Sequence, residues 1–213
     1  MYILEEFKSS PLAEKITAIS TAIIIVGISY KFGYYKFTPL TSGWVLPFFN
    51  LFDIAFSASK LIGIYISGLL ILDKSFTSEN GKQESQKIIF LIIIVCIVCY
   101  FLDTTVIDIL SIAVPIISAI LLVGFDGITK YIALALLIFI SPFVNGLADI
   151  KNDLKYDALP TVVLKETKPI EDWRLLDKAN EKILLINFRK KEEIKIVEFG
   201  EIEKIINKSP NQS

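Results

Sequence analysis

A single charge inside a long apolar run is the residue of this chain best placed to do chemistry. Lys60 lies in IAFSASKLIGIYISGLLIL, Ile54 to Leu72. An ionisable group inside such a run is costly in lipid, so it marks either a functional cavity or a side chain that reaches back to the interface. Asp53 stands seven residues earlier. Helical side chains lean towards the N-terminus, which sends the Lys60 ammonium towards that carboxylate. Snorkelling to meet Asp53 is the plainer reading. A charge facing the central cavity of an oligomer, tuning ions or holding a switch, is the sharper one. A proton or ion relay needs several such groups, and this run has one.

The other reactive residue types are sparse. Carboxylates pair at Asp103 and Asp108 and at Glu171-Asp172, both at loop ends where solvation is expected. There is no histidine, which removes Ser-His and Cys-His nucleophiles, histidine-ligated metals and histidine-held haem. Cys96 and Cys99 fall three apart in one apolar run and read as small hydrophobes across a helical turn. Glycine-rich phosphate loops, zinc-spaced cysteine pairs and nucleophile elbows are absent from the sequence. A net charge of −1 gives no electrostatic case for direct nucleic-acid binding. The expectation is a protein that is not an enzyme and uses no cofactor or metal.

The elements that must position Lys60 are apolar helices. The chain has 213 residues, 53% of them hydrophobic, with a mean hydropathy of +0.58, above the usual soluble composition. The run around Lys60 has nineteen residues, about 28 Å as a helix, enough for a bilayer core. Along it Ala55, Ser59, Gly63 and Ser67 recur every fourth residue, a ridge that lets another helix approach closely and so a candidate oligomer contact. A first run, Ile16 to Tyr30, follows Ser10-Pro11, which reads as an N-cap and a first-turn proline, and ends near Lys31. The N-terminus lacks the basic-then-apolar layout of a cleaved signal, so this run is expected to direct insertion.

Between these runs, Lys31 to Asp53 is rich in aromatics and broken by Pro39, Gly43 and Pro47. It predicts an interfacial or shallow re-entrant loop, with Tyr34, Tyr35, Trp44, Phe48 and Phe49 as candidate sensing residues at the headgroup level. Further apolar runs cover Ile88 to Leu102, Ile109 to Phe125 and Tyr131 to Ala148. The first and third runs are short for crossings, so the bundle has four or five transmembrane helices. Loop lysines divide six and six in a five-span arrangement and do not set orientation.

The chain changes character after residue 150. Thirteen of 22 Lys/Arg and thirteen of 23 Asp/Glu lie from Asp149 onward. TVVLK, WRLL, KILLINF and EIKIVEF predict short strands, separated by solvated turns at DKANE and RKKEE; Ile183 to Ile186, apolar throughout, predicts a central strand. Gly200 ends the last of them, and EIEKII predicts a closing turn of helix. The organisation expected is a helical bundle over residues 1–150 containing the aromatic loop 31–53, a small β-rich domain over 151–207, SH3-like or a meander, and a disordered tail over 208–213. Domains this small commonly gain stability by oligomerising or docking.

This layout, a compact bundle of about four spans joined to a β-rich tail containing WRLLDKANEKILLINFRKKEEIKIVEFGEIEKI, resembles KwaA, the membrane-subunit family of the Kiwa anti-phage defence system. The likeness is one of whole-chain architecture and carries over no functional residue. It implies a homo-oligomeric inner-membrane sensor that works through a cytoplasmic, DNA-binding partner of the KwaB kind. The expectation is therefore a multi-pass inner-membrane scaffold, in contact with lipid, whose cytoplasmic tail recruits a soluble protein. The alternative is an ion channel or pore-forming effector that depolarises the membrane. A solute transporter fits less well, for want of an internal repeat or a midplane polar cluster.

Overall fold

The computed structural model describes residues 10–38, 46–76, 106–125, 127–155, 158–165, 171–190 and 193–207. The run Ile88 to Leu102 with Cys96 and Cys99, together with Trp44, Asp103 and the 208–213 tail, lies outside these residues.

Helix α1, Leu12–Tyr34, begins after Pro11, which occupies the N-cap with extended backbone, one position outside the predicted first turn. The helix continues three residues past Lys31, so the predicted loop starts later than the sequence indicated. The next two helices are short and long: α2, Leu51–Ser57, and α3, Ser59–Phe76. Then come α4, Val106–Gly124, and a continuous helical stretch from Ile128 to Lys155. That stretch comprises α5, Ile128–Ala135, a π-helical turn, Leu136–Ile140, and α6, Ser141–Lys155. The π turn ends against Pro142, whose missing N–H already breaks the regular ladder. Three of these helices are long and apolar enough to cross a bilayer, and four if α2 and α3 count as one broken span.

Helix α1 lies along α6 with almost no space between their backbones. A Cβ built on Gly33 would collide with the Phe143 carbonyl oxygen, and one on Gly146 with that of Tyr30. Gly27 meets the Ile54 carbonyl in the same way, which draws α2 across α1. Glycine at these three positions sets the helix spacing, since any larger side chain would force the backbones apart.

The run around Lys60 is not the single straight helix that its hydropathy predicts. It breaks at Ala58, and α2 and α3 meet at 53°. Two restraints turn α2 aside. Ile54 is drawn against Gly27, and the first turn of α2 is held from the other side by the sheet described below. Ser57 Oγ also donates to the Ile54 carbonyl, 2.7 Å away, competing with the helical ladder at the break.

The C-terminal part is a five-stranded antiparallel sheet in the order β4-β3-β2-β1-β5. Its strands are β1, Thr161–Leu164; β2, Trp173–Ala179; β3, Lys182–Asn187; β4, Ile194–Glu198; and β5, Ile202–Ile206. The first four form the predicted meander. EIEKII is a strand and not the predicted helical turn, because after the 3-10 turn Phe199–Glu201 it returns to pair with β1, Val162 opposite Ile205. Ile183 to Ile186 are all buried, as a central strand requires. The β2–β3 turn places Asn180 at φ 55°, a left-handed conformation asparagine tolerates. One face of the sheet packs on the helices; on the other, Val162, Trp173, Leu185 and Val197 form a second cluster around which the strands curl.

Substituting Gly33 or Gly146 with Leu is expected to lower the melting temperature of the purified protein by several degrees or prevent folding, since overpacking costs about 1–3 kcal/mol or more. Apart from its own helix backbone, no described atom comes within 4 Å of a Cβ added at Gly63, so Gly63→Ala should melt no lower than the parent. Equal losses at all three positions would contradict this packing.

Candidate functional site

The polar residues of the described chain converge where the helices meet the sheet. Tyr30, Lys31 and Tyr34 on α1 and Tyr35 just after it follow an i, i+1, i+4, i+5 spacing, which brings them to one face of the helix end. Asp149 and Asp153 face them from α6, one turn apart. Tyr30 Oη donates to Asp149 Oδ2 at 2.7 Å and Tyr34 Oη to Asp153 Oδ2 at 3.1 Å. Tyr30 and Tyr34 stack at 6.1 Å, and Tyr35 meets Tyr34 edge-on at 5.5 Å.

The centre of this junction is an ion pair between Lys31 Nζ and Asp177 Oδ2, across 146 residues of chain. Lys31 is 5% exposed. Its ammonium also lies 4.3 Å from the centroid of the Phe49 ring, where the ring's negative face adds attraction. Tyr35 Oη donates to the same Asp177 oxygen at 2.5 Å. Burial, and then the Asp177 charge beside it, raise the Tyr35 pKa well above the ordinary phenol value, so it remains a neutral donor.

A β-bulge aims Asp177. Leu175 opposes Leu185 and Asp177 opposes Leu184, leaving Leu176 as the extra residue. In a regular strand Leu176 and Asp177 would face opposite ways. The bulge turns both towards the helices, where Leu176 packs in the junction cluster and its carbonyl, 3.3 Å from Tyr34 Oη, shares that one hydroxyl proton with Asp153.

The tip of the β2–β3 hairpin makes the second connection. Asn180 donates from its side chain to the Phe48 carbonyl at 3.1 Å and from its backbone N–H to Asp53 Oδ2 at 3.2 Å. It accepts from Asn50 Nδ2 at 2.5 Å. Asn50 in turn is the N-cap of α2, its oxygen receiving the Asp53 N–H at 2.7 Å. The hairpin thus holds the first turn of the broken apolar segment.

The structure redistributes the residues the sequence singled out. Asp53 bonds the hairpin turn and lies across the 53° bend from Lys60, so the expected same-face pairing does not form. Lys60 is exposed in the first turn of α3, with no ion pair among the described residues. Ala55 is half-buried, while Ser59, Gly63 and Ser67 are exposed, Ser67 Oγ donating to the Gly63 carbonyl at 2.9 Å. Tyr34, Tyr35 and Phe49 do not lie on a surface loop: the sheet covers them, and they form its dock. Phe48 is half-buried, with Lys182 Nζ 5.1 Å from its ring centroid. The loop-end carboxylates are bonded: Glu171 accepts from Trp173 Nε1 at 2.9 Å, Asp172 pairs with Arg174 at 2.8 Å, and Asp108 accepts from Asn152 at 3.3 Å.

A separate groove of about 360 Å³ runs between α3, α4 and the π turn, lined by Leu61, Tyr65, Ser111, Pro115, Leu137 and Asn145. Among the described residues no group of three or more Asp, Glu, Cys and His is placed to hold a metal ion. No protein-family model, curated protein or solved structure matches the chain.

The sequence carried signals for this junction. The four-residue spacings of Tyr30 with Tyr34 and of Asp149 with Asp153 mark facing polar stripes, and Asp177 is an acid amid the apolar residues of WRLLDKA. Lys31→Met or Asp177→Leu should each destabilise the protein by about 3–5 kcal/mol, because each leaves one buried charge uncompensated. The double variant should recover most of the loss in chemical unfolding. A merely additive double variant would show that the two charges do not depend on each other.

Proposed function

We propose that this protein is an oligomeric inner-membrane sensor and scaffold, whose cytoplasmic tail recruits a soluble partner in defence against phage. In this reading four or five helices cross the bilayer and the tail is an SH3-like module. The strand order and the 3-10 turn before β5 support that module. The observation that carries the reading is the connection of one short helix to two environments. Leu51, Phe52 and Phe56 of α2 are 63%, 71% and 66% exposed, an apolar face suited to lipid. From the same helix, Asp53 and its cap Asn50 bond the tail at Asn180. A disturbance of the bilayer that moved α2 would therefore pull on the tail. The sensing element moves accordingly from the aromatic loop as a whole to α2 and its cap.

The break at Ala58 and the exposed charge of Lys60 favour a second reading, a channel or pore-forming effector. Discontinuous apolar helices are tolerated where they line a cavity, and an intramembrane charge tunes what passes.

Purification of the full chain from its source cell should yield a stoichiometric soluble protein, detected by mass spectrometry, in a complex larger than a monomer by mass photometry. A homo-oligomer with nothing attached, conducting in planar bilayers, would favour the channel, and Lys60→Glu should then reverse or weaken its ion preference. For the sensor reading, Gly63→Leu is expected to shrink the complex in detergent while leaving the monomer folded.

A further inference from the structure

Helices α3 and α4 run in the same direction, so the chain that joins them must come back. The sheet marks one end of the helical part, where Ile150 and Asp153 of α6 meet it. α4 begins at that end, since Asn152 donates to Asp108 at 3.3 Å, and leads away from it, since Asn145 donates to the Ser111 carbonyl at 3.1 Å. α3 leads away as well. It follows α2, whose first turn the hairpin tip holds. Tyr65 Oη then lies 2.6 Å from Ser141 Oγ, and Leu69 packs on Ala119 and Ile120. Phe76 is therefore far from the sheet and Val106 near it, separated by about the length of α4, roughly 28 Å.

Residues 77–105, outside the described residues, must cover that separation. They contain the apolar run Ile88 to Leu102. In a bilayer, a helix is the form in which such a run crosses with its backbone groups satisfied. Only Asp103, Thr104 and Thr105 lie between the run and Val106, a reach of about 10 Å, which makes it an immediate neighbour of α4. The groove described above has α4 as one wall, with Ser111, Ile112 and Ala119, and α3 as the other, with Ile64 and Gly68. A helix seated there packs on both walls at once, against Ile64 and Ile112, which are 53% and 44% exposed. Gly68, Ser111 and Ala119 are small enough to let it approach closely.

We infer that Ile88 to Leu102 crosses the bilayer as a further helix, antiparallel to α3 and α4 and seated in the groove between them. The inference rests on the membrane reading above and fixes its count at five crossings, with Leu12 and the tail on opposite faces. It also covers Asn145 and the Tyr65–Ser141 bond, which otherwise open onto lipid.

Disulfide mapping of the full chain in native membranes tests it. Thr104 is the midpoint of the short connection, so Cys96 and Ile112, equally far to either side, share one depth. Native Cys96, Val95→Cys, Ile97→Cys and Val98→Cys, one per chain, sample every side of a helical turn. Each chain has its other native cysteines replaced by Ser and carries one partner: Ile64→Cys or Ile112→Cys in the groove, or Ile66→Cys or Leu110→Cys, exposed outside it. Under mild oxidation, one or two of the four positions should lose both thiols to a maleimide-polymer label with each groove partner, in a band of monomer size. The outer partners should keep theirs. No link to the groove, or links to the outer partners that match it, would overturn the inference while leaving the membrane reading intact. Links confined to bands of dimer size would put a second copy in the groove and overturn it too. A parent chain that alkaline carbonate strips from the membrane would remove both.

Discussion

The buried ammonium of Lys31 is the constraint on which the junction depends. Removing such a charge from water costs several kcal/mol even after relaxation, and the ion is tolerated only with a partner in good geometry. Asp177 is that partner, and it reaches Lys31 only because the bulge after Leu175 turns it towards the helices. The bulge in turn needs a paired sheet, and the sheet needs Tyr34, Tyr35, Phe49, Ile150 and Leu159 beneath it to bury Leu176, Leu184 and Ile186. An apolar pair in place of the ions would be about as stable. What the ions add is placement: grease tolerates sliding, whereas one ammonium under one carboxylate admits a single position of the sheet.

Close backbone approach does for the helices what the ion pair does for the sheet. Gly27, Gly33 and Gly146 are used inside the protomer, where α1 touches α2 and α6. The ridge at Ser59, Gly63 and Ser67 is left outward. Small residues in apolar helices therefore divide into two sets. One sets the spacing within the described helices, and the other is left exposed among the described residues.

Much of the architecture was legible in the sequence, because hydropathy and period report burial directly. The apolar helices over Leu12–Tyr34, Val106–Gly124 and Ile128–Lys155, the four-strand meander and the wholly buried strand at Ile183 to Ile186 followed from pattern alone. What pattern missed was tertiary. The bend at Ala58 arises from Gly27 on one side and Asn180 on the other, and neither is local to the run. EIEKII has helical and strand character alike, and pairing with β1 decides it. The aromatics from Tyr34 to Phe49 have the composition of a headgroup belt, and composition does not distinguish lipid from a covering sheet as the apolar phase. Asp53 and Lys60 stand out in the sequence as charges at and inside an apolar run, but the bend separates them, and Asp53 serves the hairpin instead.

The two connections between tail and helices differ in strength, and the difference sets how the junction would move. The Lys31–Asp177 pair is buried, so losing either partner is expensive. The bonds made by Asn180 to Phe48, Asn50 and Asp53 lie at the exposed hairpin tip, where water competes and each is worth roughly 0.5–1.5 kcal/mol or less. Opening the tip therefore costs less than breaking the ion pair or the apolar cluster around it. A few kcal/mol shifts such an equilibrium by a factor of ten to a thousand, and the exposed apolar face of α2 is where that energy could enter. On the sensor reading proposed above, a strong buried anchor and a weak exposed tip suit a coupling element: a joint tight at both ends would transmit nothing, and one loose at both would not return.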